Sequence, residues 1–398
     1  MQTQHVVILG AGYAGQIAAG RLAQRRLPIR VTVVDASPVF VERIRLHQVM
    51  AGQRIPLRPM PALLPKGVGF RQGRAVAWDV AGRSLTVAAD DGVVTLPYDR
   101  LIYALGSTVD ATRVPGVAAH AAVLGGQGDA ERLGVALAAL PSRARVLVVG
   151  AGLTGLEAAT ELAESRPDLV VELVTPRPPG EAFAQAGAAH LGRVLARLRI
   201  HMHVGAAVRA LDAGAAQLDD GRTLPFDICL WAAGFVAPPL AAAAGLPVNA
   251  RDQLVVDETL RVPAHPEILA AGDAAEVRDA AIPLRMACAT AMPMGVFAAE
   301  QIAREHAGQA LRRFRFGYAL RCVSLGRRDG LVQRVGPDDR PLPTVWTGRW
   351  AALVKELICR STVLTVRAER RGIPVCRWPV PPRHPVGSPR PAGYTRVE

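Results

Sequence analysis

The sequence predicts an α/β fold in which one βαβ unit is interrupted by a second of the same design, followed by a small α+β region at the carboxy terminus. Three observations predict it. The first is the succession of a strand, a glycine turn, a helix and a second strand at 5–9, 10–15, 16–25 and 30–35, where the hydrophobic period switches as a parallel crossover requires. The second is the return of that grammar at 144–149, 150–155, 156–165 and 169–175, an internal repeat. The third is a late apolar segment at 267–272, ending in Gly-Asp, which supplies a last strand. A chain of 398 residues, 50% hydrophobic and 20% charged, has apolar material for two or three domains.

The elements between these landmarks follow the same logic. Residues 84–96 read as short alternating strands around an Asp90-Asp91-Gly92 turn, and 100–105 as a buried strand. The second unit repeats this with the turn Asp219-Asp220-Gly221 and a strand at 226–232. A helix is expected at 287–305, strands within 314–335 around an Arg328-Asp329-Gly330 turn, and a helix at 347–371. In that last helix Trp350, Leu353, Val354, Leu357 and Ile358 share one face, and stripes at this spacing usually meet a core. From Cys376 onward the Pro-rich stretch predicts an extended, poorly packed tail. The expected domains are 1–113 with 252–310, an insert at 114–251, a carboxy-terminal region at 311–375 and the tail at 376–398.

Chemistry enters through the glycines. In Gly10-Ala11-Gly12-Tyr13-Ala14-Gly15 the first glycine permits a tight turn, the second lets the backbone approach a pyrophosphate, and the third lets helix and strand pack closely. Asp35 closes the next strand, placed to accept hydrogen bonds from a ribose. The second loop is Gly150-Ala151-Gly152-Leu153-Thr154-Gly155, but Thr175 stands where Asp35 stands in the first copy, and Arg177 follows. A neutral residue followed by arginine suits a ribose 2′-phosphate, so NADPH is expected over NADH, with ordinary loop residues and use of both cofactors as the alternative. Both units are therefore Rossmann-like dinucleotide-binding domains.

With these two loops, Tyr103-Ala104-Leu105-Gly106, Trp231-Ala232-Ala233-Gly234 and Leu269-Ala270-Ala271-Gly272-Asp273 complete an order of motifs that resembles the two-dinucleotide-binding-domain flavoproteins of the pyridine nucleotide-disulfide oxidoreductase superfamily over about residues 4–300. The resemblance implies FAD at Gly10, Gly12, Tyr13, Ala14, Gly15, Asp35, Ala104, Gly106, Gly272 and Asp273. It implies NADPH or NADH at Gly150, Gly152, Leu153, Thr154, Gly155, Thr175 and Arg177. No CxxxxC pair follows Asp35, which excludes the dithiol relay of the disulfide reductases. The segment 40–53, with Leu46-His47-Gln48 and Ala51-Gly52, is similar to type II NADH dehydrogenases and apoptosis-inducing-factor-like oxidoreductases, where it runs near the flavin. Glu157, two residues after the second glycine loop, is similar to a glutamate that type II dehydrogenases carry close to the nicotinamide pocket, so the resemblance makes His47 and Glu157 the candidate catalytic residues, weighed against a packed histidine and a first-turn helix acid.

One departure bears on the acceptor. Type II dehydrogenases carry two glutamines where this chain has Cys288-Ala289-Thr290-Ala291-Met292-Pro293-Met294-Gly295. A lining of Met286, Cys288, Met292 and Met294 is softer and holds a carbonyl oxygen less well, or it simply fills core gaps. The expected reaction is hydride transfer from NAD(P)H through FAD to a quinone or other aromatic acceptor. The alternatives are a dehydrogenase or tailoring enzyme for one metabolite, and a redox-sensing flavoprotein without turnover.

Five widely spaced cysteines and the His201/His203 pair give neither a disulfide framework nor a metal site. The start of the chain runs straight into a strand without a leader pattern, and no apolar run is long enough to cross a bilayer, which predicts a cytoplasmic protein. Residues 301–398 hold 19 Lys and Arg against 7 Asp and Glu, hence +12 of the net +13. That basic quarter suits an anionic surface or a solvated face. A small-molecule acceptor is the expected partner, with no nucleic acid; a homodimer and a peripheral contact with the inner face of the membrane stay open.

Overall fold

A computed structural model describes residues 3–278, 280, 282 and 284–380. Its centre is a six-stranded sheet with the spatial order Arg261–Val262, His265–Ala270, Arg100–Tyr103, Gln4–Leu9, Ile29–Asp35 and Gly69–Gln72. All neighbours are parallel except the first two. Val6, Val7 and Ile8 are fully buried, as a central parallel strand covered on both faces requires. A second, five-stranded parallel sheet has the order His201–Val204, Val170–Thr175, Arg145–Val149, Ile228–Trp231 and Ala121–Val123. In each sheet the strand that feeds a glycine loop is flanked on one side by the strand ending in Asp35 or Thr175.

The chain leaves and re-enters the first sheet's body through one antiparallel pair, Thr108–Val109 against Phe235–Val236. Each unit also carries a three-stranded meander, at Arg74–Asp79, Ser84–Ala89 and Gly92–Pro97 in one, and at Val208–Asp212, Ala215–Leu218 and Thr223–Pro225 in the other. Both Asp-Asp-Gly turns sit between strands of these meanders, where glycines with φ of +115° (Gly92) and +85° (Gly221) take the left-handed backbone a tight turn needs.

The carboxy-terminal sheet, Leu320–Ser324, Gly330–Val335 and Pro341–Thr347, leads into a 23-residue helix, Gly348–Arg370. That helix lies on the first helix, Tyr13–Gln24. Glu369, fully buried, takes two hydrogen bonds from Arg21 at 3.1 and 2.7 Å, and a Cβ on Gly20 would fall 3.0 Å from the Glu369 carbonyl carbon. The expected core stripe is reversed here. Ala351, Cys359, Thr362, Val363, Val366 and Glu369 face inward, while Trp350, Leu353, Val354, Leu357 and Leu364 are exposed, Trp350 to 78%. The buried seam is made of small and branched residues around an ion pair, which a search for the strongest hydrophobic stripe passes over.

The tail expectation also changes over its first residues. Cys376 is buried with its N–H on Glu369, and the Trp378 ring N–H donates to the Arg315 carbonyl at 2.9 Å. Residues 381–398 lie outside the described residues. No described helix is long and apolar enough to cross a membrane.

Candidate active site

Two cradles of nearly identical shape form the site. In the first, Gly10 has φ +104°, and a Cβ there would fall 2.2 Å from the Ala104 carbonyl oxygen. A Cβ on Gly15 would lie 1.9 Å from the Gly10 oxygen, so strand and helix close on each other only without side chains. Gly12 is the opposite case. It is exposed, and nothing stands within 4 Å of where its Cβ would be. The second cradle repeats this: φ +101° at Gly150, 1.8 Å from a Gly155 Cβ to the Gly150 oxygen, and an open, exposed Gly152. In both, the middle glycine caps the start of a helix, whose unpaired first N–H groups form a site suited to an anion.

Asp35 ends the second strand and accepts hydrogen bonds from the Ala11 and Ser37 amides at 2.7 and 2.8 Å. Burial raises its pKa, with those amides opposing. Beyond it, a cleft of about 410 Å³ is lined by Ala36, Arg71, Arg74 and Asp91. Across the cradle, Gly272 has φ +77°, and its missing side chain leaves room for Ala14 and Ala291. Asp273 accepts a hydrogen bond from the Ser107 hydroxyl at 2.7 Å, and burial raises its pKa against the pull of Ser107 and Arg43. Gly106, with φ +73°, turns the chain so that Ser107 reaches it. Ala104 is buried with its N–H on the Leu9 carbonyl at 2.8 Å. Tyr13 packs edge-on against Phe40.

The helix Cys288–His306 crosses the first helix where Gly295 meets Ala14, a Cβ there falling 2.3 Å from the Ala14 oxygen. This brings its first turn toward Asp273, whose charge is also eased by the Ala287 amide. The four sulfurs divide: Met294 is fully buried in the core, whereas Met286, Cys288 and Met292 are half-buried.

In the second unit, Leu153 and Thr154 open the helix Leu153–Ser165. The buried Thr175 hydroxyl donates to the Arg177 carbonyl at 3.0 Å, and the Arg177 side chain is exposed. Among the described residues no group of three or more His, Cys, Asp or Glu could hold a metal ion. His203 instead meets Glu172 at 2.6 Å.

His47 and Glu157, far apart in sequence, come together where the short helix Leu46–Met50 meets the second unit's helix. His47 Nδ1 lies 3.7 Å from a Glu157 carboxylate oxygen and its Nε2 4.0 Å from Glu161. Burial pushes the His47 pKa down to about 4; Glu157 opposes this, while Lys355 and Arg327 reinforce it. The imidazole is therefore neutral near neutral pH. Glu157 also takes hydrogen bonds from the Ser324 amide at 3.0 Å and from Lys355 at 3.1 Å. Burial alone would raise its pKa, but Lys355 and His47 hold it below the usual carboxylate value. Lys355, equally opposed by burial, is held above the ordinary lysine value by Glu157. Glu161 is engaged by Gln53 and by Arg327.

Lys355, Arg327, Arg43 and Ser107 escaped the sequence reading. Only Ser107 left a signal, as the hydroxyl directly after Gly106. The others reach the site from segments whose approach depends on tertiary packing.

The two cradles are one local arrangement built twice, once in each unit. The chain belongs to the pyridine nucleotide-disulphide oxidoreductase family, whose model matches residues 4–300, and it is an oxidoreductase that uses a flavin and a nicotinamide nucleotide. It is 32% identical over 350 residues to an NADH dehydrogenase-like protein of Mycobacterium tuberculosis, covering 81% of this chain and 85% of the relative. It is 27% identical over 294 residues to the demethylphylloquinone reductase of Synechocystis, covering 69% and 72%. The structure of NDH2 from Plasmodium falciparum in complex with NADH superposes with a TM-score of 0.79 at 15% identity, covering 94% of this chain and 100% of that one.

Proposed function

We propose that this protein passes reducing equivalents from NAD(P)H through FAD to a quinone. The single observation that carries the reading is the pair of matching cradles, each with an open middle glycine, joined through one crossing of the chain. The name of the Synechocystis relative supports a quinone as the acceptor. Gly10, Gly12 and Gly15 would hold the FAD pyrophosphate, Asp35 would bind its ribose, and Asp273 and Ser107 would bind it further along. Bound there, it supplies the hydride chemistry.

The chain's own residues orient and insulate. Arg43, Asp273 and Ser107, coupled to one another, would supply charge and hydrogen bonds to a bound flavin. Glu157, anchored by Lys355 and the Ser324 amide, keeps a charged carboxylate at the seam between the two units, with neutral His47 as the group through which a proton reaches the acceptor. Thr175 in place of an acid, followed by the exposed Arg177, favours NADPH over NADH. The basic carboxy-terminal region with its exposed Trp350, Leu353 and Leu357 favours contact with a membrane surface, where quinones reside.

Anaerobic titration of the purified yellow protein tests the reading: bleaching by NADPH or NADH followed by rapid recovery with a short-chain quinone is expected. Half-buried Met286, Cys288 and Met292 favour a second reading, a less polar aromatic metabolite as acceptor, for which bleaching without quinone-dependent recovery is the signature.

A further inference from the structure

Beside the carboxy-terminal helix lies a cavity of about 870 Å³ that borders the His47–Glu157 seam through Ser324 and Arg327 and opens outward from it. Its wall carries eight arginines and two carboxylates, Glu42 and Glu356. The carboxylates are already engaged: Glu42 with Arg45 and Arg58, Glu356 with Arg45 and Arg360. Arg327 is taken by Glu161. Four guanidinium groups remain, on Arg54, Arg328, Arg349 and Arg367, all exposed and with no ion pair or hydrogen bond among the described residues. They come from three separate segments and are spread along the cavity, Arg349 and Arg367 standing about 27 Å apart on the axis of one helix.

Unpaired guanidinium groups spread along one cavity draw anions into it, and their planar forks match phosphate oxygens. The same wall includes Leu353 and Leu364, which belong to the exposed apolar face continued by Trp350 and Leu357. A ligand that satisfies both features has an anionic head and an apolar body. We infer that the cavity seats phosphate headgroups of anionic phospholipids along its length, with the acyl chains running along the exposed face of the helix Gly348–Arg370. This deepens the membrane-surface reading above and rests on it: the apolar face supplies insertion, and the arginine cavity supplies selection for anionic lipid.

The test compares flotation of the flavin-loaded protein with vesicles of phosphatidylcholine alone and with vesicles containing phosphatidylglycerol. Three forms are used: the unaltered protein, a variant with Arg54, Arg328, Arg349 and Arg367 changed to Gln, and a control with the exposed Arg26, Arg193, Arg209 and Arg251 changed to Gln. Retained flavin absorbance certifies folding. The expected result is phosphatidylglycerol-dependent flotation, weakened more than about tenfold in the cavity variant and little in the control of equal charge. Equal weakening in both variants would overturn the headgroup seat, since dispersed charge then suffices. Flotation that ignores phosphatidylglycerol and the cavity variant leaves membrane contact standing but removes the headgroup seat. No flotation with any vesicle removes both, as would a dimer that covers the apolar face. Tight calorimetric binding of pyrophosphate, lost in the cavity variant and unaccompanied by flotation, would assign the cavity to a soluble anion instead.

Discussion

The two open glycines separate folding from binding at the scale of single residues. At Gly12 and Gly152 a Cβ would meet nothing within 4 Å, and φ takes ordinary negative values of −70° and −66°, so Val is tolerated at either. Gly152→Val should keep its yellow colour while reduction by NADH or NADPH slows by roughly a hundredfold, as expected when a reactant is displaced by about an ångström. Gly12→Val should purify colourless. Stopped-flow absorbance and flavin content read both, and equal effects of the two on flavin content would contradict the assignment of the loops.

His47 gives a pH signature at the same scale. Its pKa in the fold is pushed down to about 4 by burial, below its ordinary value near 6.5. As pH falls below the ordinary value the unfolded chain takes up the proton and the folded one does not, so stability drops until the folded pKa is reached. The drop should reach roughly 3 kcal/mol. His47→Gln should flatten that part of a denaturation profile between about pH 6.5 and 4. The neighbouring pair makes a separate demand. Lys355→Met leaves Glu157 charged and buried, at a cost of about 3–5 kcal/mol. Adding Glu157→Gln should recover part of it, measurable as a double-mutant cycle in urea.

Among the elements, the carboxy-terminal helix is both the best test of packing and the clearest case of what a sequence hides. Its existence and limits followed from periodicity, but its orientation did not, because Glu369 and Arg21, distant and polar, fix the inward face. Glu369→Ala leaves Arg21, 9% exposed, with Glu300 alone and should destabilise the chain by about 3 kcal/mol. Chemical denaturation followed by Trp fluorescence checks it. The glycine loops were legible for a complementary reason: their function is carried by the backbone, and only glycine satisfies those positive φ values and close approaches. The His47–Glu157 seam was half legible. Both residues stood out individually, but Lys355 and Arg327, which set their charge states, arrive from residues beyond 320 through packing that has no local sequence signal.

In the molecule as a whole, two matching glycine cradles are joined through one antiparallel pair of strands, and the carboxy-terminal sheet and helix cover their seam. The basic quarter of the sequence becomes a localised feature, an arginine-lined cavity beside an exposed apolar face. Anionic vesicles should therefore retain the protein at low salt and release it as ionic strength rises past the range in which surface charges are screened, about 0.1 M and above.

The most direct test of the central claim is anaerobic mixing of the purified protein with NADPH or NADH, followed by a short-chain quinone, with the flavin absorbance recorded throughout. Two cradles working in series predict rapid bleaching that Gly152→Val slows by roughly a hundredfold without loss of bound flavin, then rapid recovery on adding the quinone. A protein that binds flavin yet is bleached equally well with and without an open second cradle would contradict it.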